Sequence, residues 1–166
     1  MEVTLYQAVP KGGRMDLVVE KATEAGATRI VPLLTERGEV NPRENKLDRW
    51  RRVAEAAARQ SLRLRVPEVR EPETFGEAIR EAGEAGVLLH NAAGADDVED
   101  AVEPAASLFV GPEGGWSDGE LEAAREAGLS VAGLGPYRLR SETAGIVAVA
   151  RARAALERRV RVEGGV

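Results

Sequence analysis

The 166-residue sequence contains no cysteine. That absence excludes disulfide staples, thiolate-ligated zinc, iron–sulfur clusters and thiol nucleophiles. There is one histidine, His90, which argues against a histidine-built metal centre and against a Ser-His-Asp triad. Aromatic residues amount to 4%, so Val, Leu, Ile and Ala must build the core. No apolar run approaches the roughly 18 residues needed to span a bilayer. Met1 is not followed by the basic-then-apolar pattern of a secretory signal. The expectation is a cytoplasmic protein with no membrane partner and no metal.

What is present points to one folded unit. The chain has 43% hydrophobic and 31% charged residues, a balance unlike that of disordered sequences. A domain near this length hides roughly 68–70% of its extended surface on folding. Residues 1–166 are therefore read as a single domain, with 163–166 as a frayed tail.

The net charge of −5 is unevenly placed. Lys46–Arg70 holds 8 basic and 3 acidic residues, Glu71–Gly128 holds 2 and 15, and Leu129–Val162 holds 7 and 2. Two basic segments thus flank an acidic middle. Brought together they would form a face for a polyanion; apart, they are the solvated sides of amphipathic helices.

The hydrophobic pattern alternates between the periods of strand and helix. Strands are predicted at Val3–Val9, Arg29–Leu34, Val66–Val69, Gly86–His90, Ser107–Val110 and Leu129–Leu134. Pro32 inside the second suggests a bulge or a sheet edge. Helices are predicted from Met15 to a stop at Gly26, from Leu47 to about Leu64, and over Thr74–Ala85. Three more follow: Asp96–Val102, from a Ser117 cap to Ala127, and Thr143–Val160. Ser117 with Glu120 forms a capping-box pattern. Alternating strands and helices predict an α/β domain with a mostly parallel sheet.

Two loops carry the chemistry. Gly111-Pro112-Glu113-Gly114-Gly115-Trp116-Ser117 lies between a strand and a capped helix. It is neither a Walker loop nor GxGxxG. Its glycines allow a ligand close to the backbone, and its carboxylate would repel a triphosphate but tolerate a cationic ligand. Alternatively Glu113 is tied to the protein's own backbone, or the loop is a plain tight turn.

The second loop, Leu134-Gly135-Pro136-Tyr137-Arg138-Leu139-Arg140-Ser141-Glu142-Thr143-Ala144, precedes the last helix. Glu142 and Thr143 suit a helix N-terminus. The two arginines do not, and call for an acidic partner or an anionic substrate. The two loops are expected to end adjacent strands.

Together these loops resemble the GPEGG(F/W) and LGxR(I/V)LRxETA motifs of the RsmE family of ribosomal RNA methyltransferases, within the SPOUT superfamily. Val19–Gly26 is similar to that family's QKxxELG helix, and Pro32 with Thr35–Arg37 to its PxxxxR segment. Ala56–Ser61 with Arg63 and Val66-Pro67 resembles its EAxEQSxRxxxP stretch. His90 falls where the family often has a Leu-His pair. The resemblance covers roughly residues 3–155. Tyr137 and Arg138 depart from it, displacing an arginine by one position; Arg59 stands for a usual Glu and Leu62 for a usual Gly.

The resemblance implies a SPOUT-type α/β fold with a C-terminal trefoil knot, preceded in the family by a PUA-like barrel missing from these residues. It implies a homodimer acting on 16S ribosomal RNA in the small ribosomal subunit, with S-adenosyl-L-methionine as methyl donor and N3 of a uridine as acceptor. Arg140 and Glu142 become the catalytic candidates, Arg140 for charge developing on the base and Glu142 to orient Arg140 or cap the helix. The cofactor candidates are Leu89, His90, Gly111, Glu113, Gly115, Leu134, Gly135, Leu139, Arg140, Thr143 and Ala144. Lys21, Arg37, Arg59, Gln60, Arg63 and Arg138 are assigned to RNA, and Glu24 to the same side. Lys21 and Glu24 also read as a surface pair three residues apart. Trp116 is expected at a dimer interface or against a base. A non-catalytic binding protein, an enzyme for another RNA and a phosphate-binding domain remain the alternatives.

Overall fold

A computed structural model of the protein describes residues 1–39, 42, 44–91, 95–102 and 104–163, without the side chains of Glu44 and Glu163. Most of the expected tail therefore lies outside the described residues. Eight strands run β1 (Glu2–Ala8), β2 (Arg29–Leu34), β3 (Glu68–Val69), β4 (Glu73–Thr74), β5 (Gly86–Leu89), β6 (Asp96–Asp97), β7 (Ala105–Val110) and β8 (Ser130–Gly133). The helices are α1 (Met15–Ala25), α2 (Glu44–Gln60), α3 (Phe75–Ala82), α4 (Val98–Ala101), α5 (Asp118–Glu126) and α6 (Ser141–Glu163). Among the described residues, no helix is long and apolar enough to cross a membrane.

The sheet order is β3-β2-β1-β7-β5-β8-β6, with β4 also on β2, and every described pairing is parallel. The expected α/β class is therefore the observed one. Parallel strands must be covered on both faces, and their sequences show it. In β1, Val3 and Leu5 join the large core beneath α1, α2, α4 and α6, while Tyr6 joins the smaller core beneath α3 and α5. Tyr6 stacks on Phe109 there, with ring centroids 4.5 Å apart. The same alternation places Leu108 and Phe109 of β7 on opposite faces.

Pro32 is neither in a bulge nor at an outer edge. β2 pairs with β1 on one side, where Pro32 faces Gln7. On the other side β3 covers Arg29 and Ile30, and β4 covers Leu33 and Leu34. The outer rail is interrupted beside Pro32, so a residue without an N–H leaves no ladder bond unmade.

Several predicted boundaries move. α6 begins at Ser141, two residues before the expected start, and Asp96–Asp97 is a short strand on β8 rather than the first turn of a helix. α2 ends at Gln60, not near Leu64. The cause is local: the Leu62 N–H donates to the Arg59 carbonyl and the Arg63 N–H to the Ala58 carbonyl, which closes the helix in a Schellman motif. Leu62 sits at φ +58°, the one non-glycine with positive φ among the described residues. α1 and α5 end in the same two-bond pattern with Gly26 and Gly128 at that position.

The two basic segments fall on one face of the sheet, where α1 packs on both α2 and α6. The acidic middle reaches back to neutralise part of them. Arg51 pairs with Glu71 at 3.2 Å, Arg70 with Glu81 at 2.7 Å, and Arg151 with Glu99.

Candidate functional site

The Gly-rich loop and the second loop were expected to end adjacent strands. They do not: β5 lies between β7 and β8. The loops still converge, because all three strands are parallel and their carboxyl ends open on one cavity of about 590 Å³. Leu89–Asn91 after β5, Val110–Glu113 with Gly115 and Trp116 after β7, and Ala132–Leu134 with Tyr137–Ser141 and Ala144 after β8 line it.

The Gly111–Trp116 loop is tied down at four points. Trp116 Nε1 donates to the Leu89 carbonyl at 2.9 Å, and Ser141 Oγ donates to the Gly111 carbonyl at 2.7 Å. Glu113 Oε1 accepts from the Lys11 N–H at 3.1 Å, and the Gly114 carbonyl accepts from Arg37 Nη1 at 3.2 Å. A loop held this way is ordered before any ligand arrives, which lowers the ordering cost of binding. Glycine at 111 has a packing reason: a Cβ there would stand 3.0 Å from the Trp116 ring. The capping box behind the loop is present as expected. Ser117 accepts from the Glu120 N–H, and buried Glu120 also takes the Glu36 N–H at 2.8 Å.

Trp116 is not at an outer surface. It is 5% exposed and packs in the smaller core, 5.2 Å from Phe75. Its polar edge is satisfied by Leu89 and the ring contributes to the cavity wall, so a place at an outer interface does not fit.

Of the cofactor candidates, Leu89, His90, Gly111, Glu113, Gly115, Leu134, Leu139, Arg140 and Ala144 line the cavity; Gly135 and Thr143 do not. Arg138, assigned to RNA, lines it as well. Arg138 and Arg140 are exposed, and among the described residues neither guanidinium has a hydrogen-bond or ion-pair partner. Two cations in one cavity lining, without a partner among the described residues, make its potential more attractive to an anion.

Glu142 does not hold Arg140. It is 6% exposed and its Oε1 stands 3.4 Å from Nε of Arg14, at the start of α1, while Oε2 is buried without a partner. Of its two expected roles, orienting Arg140 gives way to this link between α6 and α1, while Glu142 does stand in the first turn of α6.

Arg63 is also placed differently from its assignment to RNA. Its Nη1 donates to the carbonyls of Thr23 at 2.6 Å and Ala27 at 2.7 Å, capping the C-terminus of α1. Burial, and then nearby Arg153, hold its guanidinium below the ordinary range. Lys21 pairs with Glu24 at 3.0 Å and with Glu20 at 2.7 Å on α1 and is not part of the cavity lining. Arg59 and Gln60 are exposed at the end of α2, also outside the lining; Arg37 reaches the site only through Gly114.

Gln7 and Arg14, which lie outside both loops, matter to this geometry, as does Ser141, which the second loop contains but to which the sequence assigns no role. Gln7 is fully buried, with Nε2 donating to the Ala8 carbonyl at 3.0 Å and to Ser141 Oγ at 2.9 Å. Its signal was available, since an amide interrupts the apolar series Val3, Leu5, Val9 on one face of β1. Among the described residues, no group of His, Asp and Glu has the arrangement to hold a metal.

Comparison with known proteins agrees with this geometry. The model of a family described as RNA methyltransferase domain matches residues 1–153. Ribosomal RNA small subunit methyltransferase E of Synechocystis is 39% identical over 165 residues, which is 95% of this chain and 54% of that protein. The protein of the same name from Mycobacterium tuberculosis is 40% identical over 159 residues, 89% of this chain and 61% of its own length. The chain thus spans a little over half the length of these relatives. Among solved structures, a Legionella pneumophila protein in complex with the bound cofactor SAM superposes with a TM-score of 0.85 at 35% identity, over 93% of this chain and 66% of the other. Ribosomal RNA small subunit methyltransferase E from Neisseria gonorrhoeae, bound to S-adenosyl methionine, gives 0.82 at 30% identity over 98% and 66%. Matched from Met1 to Arg153 and folded like both of those structures, this chain belongs to the RNA methyltransferase domain family.

Proposed function

We propose that the chain is the catalytic domain of an S-adenosylmethionine-dependent methyltransferase that modifies N3 of a uridine in 16S ribosomal RNA. The observation that carries this reading is the pre-tied cavity at the ends of β5, β7 and β8, with Arg138 and Arg140 unpaired on its rim. The names of the relatives supply the substrate class.

The residues fit the methyl donor. The cavity volume lies within the roughly 300–1,000 Å³ usual for small-molecule sites. Leu89, Val110, Leu134, Leu139 and Ala144 make apolar walls suited to an adenine ring, and Glu113 is the carboxylate in the lining, suited to a cationic centre. Backbone groups of Leu89, Gly111, Gly115, Leu134 and Leu139 line the cavity and can take the adenosine edges, the Leu89 and Gly111 carbonyls with the lone pair that Trp116 and Ser141 leave free. When bound, the donor supplies an electrophilic methyl group on a sulfonium.

The acceptor nitrogen of uracil carries a weakly acidic proton, and negative charge spreads to its flanking carbonyl oxygens as that proton leaves. A guanidinium aimed at one such oxygen stabilises the charge and favours the proton's loss. Arg140 fills this role, free of any carboxylate that would already hold it. Arg138 takes a phosphate or the second carbonyl. Arg37, bound to the Gly-rich loop, extends the cationic rim toward the RNA backbone.

The same reading includes a deep trefoil knot around the cavity, a homodimer, and work in the cytoplasm, where ribosomal RNA is processed. The test is incubation with methyl-labelled S-adenosylmethionine and unmodified small ribosomal subunits. Label at N3 of one uridine is expected. Label on transfer RNA alone, or none anywhere while S-adenosylhomocysteine still binds, would overturn the assignment.

A further inference from the structure

Gln7 is 134 residues from Ser141 in sequence and is not itself part of the cavity lining. Yet its side chain stands behind both loops. The hydrogen-bond chain runs Gln7 Nε2 to Ser141 Oγ to the Gly111 carbonyl, at 2.9 and 2.7 Å. Its direction is fixed at both ends. The Gly111 carbonyl can only accept, so the single hydroxyl hydrogen of Ser141 points there, and Ser141 must accept from Gln7. The Ala8 carbonyl, 3.0 Å from the same Gln7 atom, can also only accept, so that atom is the amide nitrogen. A side chain with two donors on one atom is required, and a carboxylate would not serve.

The surroundings are cut to admit this amide. Gly145, one turn into α6, has no Cβ where one would stand 2.1 Å from Gln7 Oε1. Among the described residues that oxygen is buried without a partner. A leucine would fill the same apolar face of β1 and remove the orphaned Oε1, but it would take away the donor that the Ala8 carbonyl and Ser141 Oγ accept from. What the amide adds is the pair of donated bonds.

We propose that Gln7 is a positioning residue for the cavity, its buried amide fixing the Gly111 loop against the start of α6 through Ser141. Gly145 is the space that lets it do so. The geometric part stands on the contacts alone; the consequence for catalysis rests on the reading of the cavity as the methyl-donor site.

Gln7→Glu, Ser141→Ala and Ser141→Thr test it in the full chain. Gln7→Glu keeps the shape and reverses the donor, so Ser141 turns toward residue 7 and leaves Gly111 unpaired. Amide hydrogen exchange at Gly111–Trp116 in the ligand-free protein is expected to accelerate in Gln7→Glu and Ser141→Ala, with protection restored in Ser141→Thr. S-adenosylhomocysteine affinity and KM for S-adenosylmethionine should worsen on the order of 10-fold while KM for RNA holds. That split separates positioning from general loss of structure. Should Gln7→Glu fail to fold, Ser141→Ala carries the same comparison. Parental exchange across the loop in Ser141→Ala overturns the proposal. If exchange accelerates but the parent itself binds no S-adenosylhomocysteine, the relay stands and the methyl-donor reading falls.

Discussion

The carboxylate of Glu142 faces Arg14 across 3.4 Å, and Arg140, two residues earlier, is left without an acidic partner among the described residues. A carboxylate on Arg140 would compete with the charge that develops on a substrate. Its engagement with α1 instead leaves the Arg140 charge available at the cavity rim.

Removing that charge should therefore act on the chemical step. Arg140→Ala is expected to keep S-adenosylhomocysteine affinity within a few fold and to lower turnover on ribosomal subunits by on the order of 10²-fold or more. Single-turnover label transfer beside calorimetry makes the comparison. Parental turnover in the variant would take Arg140 out of the mechanism.

Arg63 predicts the opposite pattern. Hydrogen bonds to charged groups contribute roughly 1.5–3 kcal/mol each, and this guanidinium caps α1 with two. Both bonds come from one nitrogen of a half-buried side chain, so Arg63→Ala should lower unfolding stability by less than their sum, about 2 kcal/mol in a urea titration. The salt dependence of RNA binding should stay at its parental slope, because no phosphate contact is lost.

Leu62 is a correctable flaw. The left-handed region costs a residue with a Cβ roughly 1–2 kcal/mol. Leu62→Gly gives α2 the ending that α1 and α5 have, offset by the greater freedom of glycine in the unfolded chain. A net gain of about 1 kcal/mol is expected, or about 2–4 °C in Tm for a chain of this size. An unchanged or lower Tm would mean the exposed leucine is held by contacts that offset the strain.

Much of the architecture was legible because parallel strands and capped helices write themselves locally. Val3 and Leu5 against Tyr6 separate the two faces of β1, and Ser117 with Glu120 announces α5 within four residues. What was not legible depends on partners far along the chain. Nothing near Ser107 or Leu129 shows that β5 slips between β7 and β8. Arg63 reads like any exposed arginine until α1 presents its terminal carbonyls. Glu142 and Arg140 are neighbours in sequence, yet side chains two apart on a helix start point apart, and Arg14 arrives from the other end of the chain.

Gly145 and Gln7 should behave as a coupled pair. A methyl group at 145 meets the Gln7 amide, and overpacking of this kind costs roughly 1–3 kcal/mol. Gly145→Ala should destabilise the parent by that amount and a Gln7→Ala background by much less. Equal losses in both backgrounds would show that the methyl group collides with something else.

Alkaline pH supplies another test. Burial, with Glu81 and Glu73 adding to it, pushes the Tyr6 phenol up to about 12. The protonated ring favours the folded state. Its contribution is complete below pH ~10, where an unfolded tyrosine titrates, and disappears as pH climbs toward 12. Tyr6→Phe should flatten that alkaline decline in thermal melts between pH 9 and 12; an unaltered slope would assign the decline to other groups.

The insertion of β5 between β7 and β8 has a consequence for assembly of the molecule. The cavity is contributed by segments near residues 90, 111 and 134 and by Ser141, which the amide at position 7 holds from behind. No stretch of the chain shorter than about 135 residues contains all of them. A compound seated there clasps the first strand's neighbours and the last helix at once, so it protects against whole-molecule melting and leaves fraying of single elements untouched.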